Sequence, residues 1–217
     1  MLRTVIDLET NGLPAPEAPS PSPVSCSWIT FRCDSTMEVV DSGTMYFYNP
    51  SYIILDNKNA QEAEKIHGLT KEFLSQFADQ YTDNCRKLYK LIARGNLVGH
   101  NLISFDIKIA QNFLSRNGYG SPLPNSVKDT MLIFQPYFGK LKKEHKLPED
   151  AKTRWKLGKI VEHFNIPEIV IKMVYKECFG KELEGEAYHT ADFDVVACEL
   201  IFRKAIALGL TKGFETK

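Results

Sequence analysis

The sequence predicts an α/β domain with a mixed central sheet flanked by helices. Three runs rich in β-branched and aromatic residues, joined by turns, open the chain, and helical and strand-like segments alternate after them. The size agrees, since 217 residues with 43% apolar and 25% charged side chains can bury one large core without disulfides or a structural metal. Residues 1–217 are therefore read as a single domain.

Leu2–Glu9 reads as the first strand, ended by the turn pair Asn11-Gly12. Pro14 to Pro23 holds five prolines and is expected to be a surface loop. Val24–Arg32 and Val39–Tyr48 read as strands, with a turn near Asp34-Ser35. This gives an antiparallel meander with the first strand near the sheet centre. Helices are expected over Asn59–Ile66, stopped by Gly68; from Thr70, with Phe73, Leu74 and Phe77 on one face; and over Tyr81–Arg94. Asn96–His100 reads as a short strand, Ser104–Asn117 as a helix stopped by Gly118, and Val127–Met131 as a further strand. Leu157, Ile160, Val161 and Phe164 have helical spacing, and Asp192–Leu208 reads as a long amphipathic helix.

Lys plus Arg and Asp plus Glu number 27 each, so the chain as a whole has no bias toward a polyanion. Such a partner would need local positive charge or metal ions to offset repulsion. The basic, insertion-like segment 139–159 is the candidate, with eight lysines and arginines against Glu144, Glu149 and Asp150, about +5 net. It reads either as a nucleic-acid patch or as a solvated charged loop. The five cysteines are odd in number and form no C-x-x-C pair, which suits reduced thiols better than disulfides or a zinc site. No signal-peptide pattern and no run of about 18 apolar residues is seen, so a cytoplasmic location without a membrane partner is expected.

The chemistry begins in Val5-Ile6-Asp7-Leu8-Glu9. Side chains alternate along a strand, so Asp7 and Glu9 share one face while Ile6 and Leu8 take the other. Two carboxylates on a buried strand repel and lose hydration unless something positive compensates, and paired oxygen ligands suit Mg²⁺ or Mn²⁺. The alternative is an edge strand with a solvated polar face. Asp106, in Gly99-His100-Asn101-Leu102-Ile103-Ser104-Phe105-Asp106, falls in the first turn of its helix. The helix dipole alone explains an acid there, though loops at strand ends are also where open α/β sheets build their sites. His189-Thr190-Ala191-Asp192-Phe193-Asp194 likewise reads either as helix-start chemistry or as a His and an Asp facing one cleft.

Together these segments resemble the DEDDh-type 3′→5′ exonucleases of the ribonuclease H-like superfamily, among them the proofreading epsilon subunit of bacterial DNA polymerase III, ribonuclease T and oligoribonuclease. The first motif is similar to Asp7-Leu8-Glu9-Thr10-Asn11-Gly12, the second to Gly99-His100-Asn101 with Phe105-Asp106, and the third to His189, Ala191 and Asp194. Ile66-His67-Gly68-Leu69-Thr70 and Asp129-Thr130 resemble weaker family segments, and the resemblance runs from about residue 2 to residue 205.

The resemblance implies a ribonuclease H-like fold and two divalent ions, Mg²⁺ or Mn²⁺, held by Asp7, Glu9, Asp106 and Asp194. It makes His189 the general base. Thr10, Ile66, His67, Asn101 and Phe105 become candidate substrate contacts, with stacking near Thr10, Ile66 and Phe105 holding the terminal base. The expected partner is the 3′ end of single-stranded DNA or RNA, and the product a 5′-mononucleotide; a polymerase partner is possible but not indicated. An RNA-specific exoribonuclease and a catalytically inactive binding module of the same fold are the alternatives. His100 is expected to make structural hydrogen bonds rather than bind metal.

Overall fold

Strand β1 (Leu2–Thr10) pairs antiparallel with β2 (Pro23–Arg32), and β2 pairs antiparallel with β3 (Val39–Tyr46). On its other side β1 runs parallel to β4 (Asn96–Gly99), and β4 runs parallel to β5 (Ser126–Asp129). The sheet order is β3-β2-β1-β4-β5, mixed as expected, with β1 at its centre. The computed structural model describes residues 1–14, 20–93, 95–183 and 190–212, so part of the proline-rich loop lies outside the described residues.

The alternation of β1 divides the interior into two cores. Val5 packs with Ile29 and Phe31 against Phe134, Phe138, Ile160, Ile171, Val195 and Phe202. Ile6 and Leu8 face the other way, into Val24, Trp28, Leu88, Ile92, Phe113 and Leu114. Both faces of the central strand are thus covered, as a strand with parallel neighbours requires.

On the second face, α1 (Lys58–His67) starts where the Asn57 side chain accepts from Ala60 N–H, and ends at Gly68, whose φ of 72° suits glycine. Thr70 caps α2 (Lys71–Ser75). This helix is shorter than expected: Phe77 lies beyond it, yet packs 4.6 Å from Tyr46 and 5.2 Å from Phe73, ring centre to ring centre. A 3₁₀ turn, Ala78–Gln80, leads into α3 (Tyr81–Ala93), and α4 is Asp106–Arg116.

The first face carries α5 (Thr130–Lys143), α6 (Leu157–His163), α7 (Glu168–Phe179) and α8 (Ala191–Ala207). Helices α5 and α7 were not expected. Strand β5 stops at Asp129 instead of continuing to Met131, because the Asp129 carboxylate accepts Met131 N–H and starts α5. The ends of the basic segment are accordingly helical, within α5 and α6. Helix α8 is not amphipathic: consecutive residues Val195 to Glu199 are all buried, because the sheet and α5–α7 enclose it. No helix among the described residues is long and apolar enough to cross a membrane, and all five cysteines are free thiols.

Candidate active site

Asp7 and Glu9 stand on the α8 side of β1, opposite Ser27 and Ser25 in the register with β2. The first turn of α8 delivers Asp194 to them. One carboxylate oxygen from each of Asp7, Glu9 and Asp194 lies within 4.8 Å of the other two. Asp106 opens α4 and approaches from the β4 side, where its Oδ1 accepts Leu8 N–H at 3.1 Å, between the two β1 acids.

Burial and mutual repulsion push all four carboxyls upward. Asp7 is raised well above the usual carboxylate range by burial, then by Asp106, Asp194 and Glu9. Burial and the charges of Asp194 and Asp106 bring Glu9 to about 8. Asp106 reaches about 7 through burial, despite two backbone hydrogen bonds that lower it, and Asp194 reaches about 7 through burial and the charge of Asp192. Four such groups do not all ionise at neutral pH unless positive charge enters the cluster. Among the described residues the donors are carboxylate oxygens, a set that fits hard divalent cations such as Mg²⁺ or Mn²⁺.

Asp192, two residues from Asp194, belongs to a different structure. Its Oδ2 accepts from Tyr175 O–H at 2.8 Å and from Lys181 Nζ at 2.9 Å. Burial would raise its pKa, but the Lys181, Thr190 and Tyr175 hydrogen bonds outweigh burial and hold it below the usual range. Asp192→Ala should therefore leave the acid cluster and most turnover intact while lowering stability by about 1–3 kcal/mol, the usual cost of stranding buried partners. Urea unfolding beside initial rates measures both effects, and equal loss of activity at Asp192 and Asp194 would misplace the last motif.

Two residues that the sequence left in the background shape the approach to Asp106. The Asp129 carboxylate accepts Asn101 N–H at 3.0 Å and Ile103 N–H at 3.1 Å, pinning the turn after β4, where Asn101 takes a φ of 61°. An Asp-Thr pair at a strand-to-helix change is an N-cap signature, and that was the available signal. His100 lies with Nδ1 3.0 Å from Thr130 Oγ1, while its Nε2–H donates to the Trp155 carbonyl at 3.0 Å.

The proposed substrate contacts divide between cavities. Thr10, Ile66, His67 and Phe105 line one cavity of about 300 Å³ together with Glu9 and Leu8. Its lining is largely apolar, and Ile66 is left exposed in it. His67 Nδ1 accepts Leu69 N–H at 3.0 Å, and burial lowers the ring's pKa, which keeps it neutral. Asn101 is not among these residues; it lines a separate groove of about 560 Å³ with Asp194. His189 lies outside the described residues.

The sequence matches the RNase T exonuclease family over residues 4–167. No curated protein matches the chain. Among solved structures, E. coli exonuclease I in complex with a dT13 oligonucleotide superposes with a TM-score of 0.63 at 19% identity, covering 99% of this chain and 41% of that one. The zinc-bound form of the E. coli exonuclease I complex with single-stranded DNA gives 0.61 at 18% identity, with 97% and 41% covered. A product-bound structure of exonuclease I gives 0.59 at 18%, with 99% and 44% covered. The chain thus spans less than half the length of these proteins, and at such identity the likeness is one of fold. The family match takes in Asp7, Glu9 and Asp106 but stops before Asp194, and the fold itself returns that residue to the cluster on α8. On this combined ground the chain belongs to the RNase T exonuclease family, within the ribonuclease H-like superfamily.

Proposed function

We propose that the protein is a metal-dependent 3′→5′ exonuclease that hydrolyses the last phosphodiester bond of a single strand and releases 5′-mononucleotides. The observation that carries this reading is the half-buried carboxylate cluster opening beside an apolar cavity of about 300 Å³, at the lower end of the usual size of a small-ligand site. Asp7, Glu9, Asp106 and Asp194 would hold two divalent ions. When bound, these supply activation of a water and stabilisation of the leaving oxygen beside an anionic phosphate.

The remaining work belongs to the protein. Thr10, Ile66, His67 and Phe105 bind the terminal nucleoside and leave its 5′-phosphate at the acids. The apolar walls accept any base, since every base offers a stacking face. Leu8 N–H holds Asp106 in place, and Asp129 fixes the turn that leads to it. His189, by its family position, accepts the proton of the attacking water. The direction of attack follows from the family resemblance, and the oligonucleotide-bound exonuclease I structures support a single strand as substrate.

End-labelled single-stranded DNA and RNA of one sequence, incubated with Mg²⁺ or Mn²⁺, test the reading. Mononucleotides should appear from the 3′ end, excess chelator should stop their release, and the ratio of rates assigns DNA or RNA preference. Tight oligonucleotide binding with no release in either metal would make the protein a binding module instead.

The pKa shifts give a second expectation with a definite sign. An unfolded Glu titrates near 4.3, whereas folded Glu9 titrates near 8. Between these values the folded protein holds a proton that the unfolded chain does not. This contribution to stability is complete below about pH 4 and is lost as pH rises through about 8. Divalent ions replace those protons. The gap in Tm between Mg²⁺-loaded and chelated protein should therefore widen from pH 5 to pH 8, and a constant gap would separate the ions from these acids.

A further inference from the structure

We propose that the groove between the His100–Asn101 turn and the start of α6 carries the nucleotides immediately 5′ of the scissile phosphate, with Lys156 and Lys159 as their phosphate contacts. This rests on the exonuclease reading above and adds the path of the strand to it. A strand whose terminal nucleoside fills the Thr10–Phe105 cavity leaves its phosphate at the acid cluster, and the rest of the strand has to continue away from there. Among the described residues, cavities reach the cluster from two further sides. One meets Glu9 and runs over β2 and β3 to Lys181; the other meets Asp194 and runs toward α6.

Charge decides between them. With the cluster's own acids set aside, the first cavity holds Lys181 against Asp192 and Glu182, and Lys181 is already bound to Asp192 and Tyr175. Among the described residues the second holds Lys156 and Lys159 against Glu162. Lys156 is exposed and has no ion-pair partner among the described residues. Lys159 pairs with Glu162 at 2.7 Å, but both side chains are about two-thirds exposed, so this pair is weak and exchanges readily for a phosphate. The floor of the groove is formed by Phe193, Val161 and Ala197, core residues that add no charge to it.

The groove is also built to stay where it is. Trp155, the residue before Lys156, stacks on Phe138 at 3.9 Å, and its carbonyl is held by His100, which stands at the end of β4. The basic segment is thereby fastened to the same turn that leads to Asp106, and its two lysines border the cavity that Asp194 enters.

The test compares two substrates of different length in wild type and in a Lys156→Glu/Lys159→Glu variant, with Lys90→Glu on the exposed side of α3 as a charge control. The first is a single-stranded 12-mer; the second is the p-nitrophenyl ester of thymidine 5′-monophosphate, which has no upstream nucleotides. The double variant should raise KM for the 12-mer by about tenfold near 0.1 M salt, with the ester's KM rising less than about twofold. It should also flatten the dependence of log KM on log salt by about 1.4, the share of two phosphate contacts on a single strand. Equal changes on both substrates, an unchanged salt slope, or the same effect from Lys90→Glu would overturn the assignment while leaving the exonuclease reading in place. If wild type cleaves neither substrate, the exonuclease reading fails and the strand path falls with it.

Discussion

Asp7→Asn should reduce kcat/KM by at least about a thousandfold while making the metal-free protein more stable than wild type. The first effect follows from position. Asp7 lies in the oxygen triad with Glu9 and Asp194 and is raised further by the charge of Asp106, so every other acid of the site acts on it. If Asp7 is the ligand that the two proposed ions share, its loss removes several kcal/mol of charge stabilisation, and each 1.36 kcal/mol is tenfold in rate. The second effect has the opposite sign because the same carboxylate is buried beside three others. An amide of equal shape removes that repulsion without opening a cavity. The gain should be visible in chelator near pH 8, shrink toward pH 4 as the wild-type acids protonate, and vanish or reverse in Mg²⁺. Thermal melts across that range, paired with rates on a labelled oligonucleotide, read both. A variant that is inactive and equally destabilised in chelator and in Mg²⁺ would mean that Asp7 holds the fold rather than the ions.

His189→Ala should lower the rate by about 10²–10⁴-fold, the usual contribution of a general base. The four carboxylates remain, so binding of metal and oligonucleotide should persist. The wild-type rate should rise with pH through the histidine's pKa, and the residual rate of the variant should lack that limb. A water on a divalent ion can titrate in the same range, so calorimetric metal affinity has to accompany the rate profile. Near wild-type turnover would remove His189 from the mechanism, and loss of metal affinity would make it a ligand or a support instead.

Legibility in the sequence was uneven for physical reasons. Asp7 and Glu9 were readable because a strand's period of two places them together whatever the rest of the fold does. Asp106 and Asp194 were readable only through their resemblance to family motifs, since an acid in a helix's first turn has a sufficient local reason to be there. Helix α5 was missed because Pro136 lies inside it, and α7 because Ile169, Val170, Ile171 and Val174 imitate a strand. Both helices are fixed by tertiary burial, through Phe134 and Phe138 in one and Ile171 and Tyr175 in the other. The partition of the substrate candidates was invisible for a similar reason: Asn101 and Phe105 are four residues apart, but the turn held by Asp129 sends them to different cavities.

The division of labour between β1 and α8 has a consequence for synthesis. Asp7 and Glu9 are made well before Asp194, which arrives on a helix packed into the core behind the sheet. A chain still on the ribosome without α8 holds two of the triad's three acids and an uncovered sheet face. On the proposed reading it therefore lacks a complete metal-binding triad while it is surrounded by RNA. The helix that covers the sheet face is also the one that brings Asp194, so molecules cut before α8 should lack the complete triad as well as be unstable.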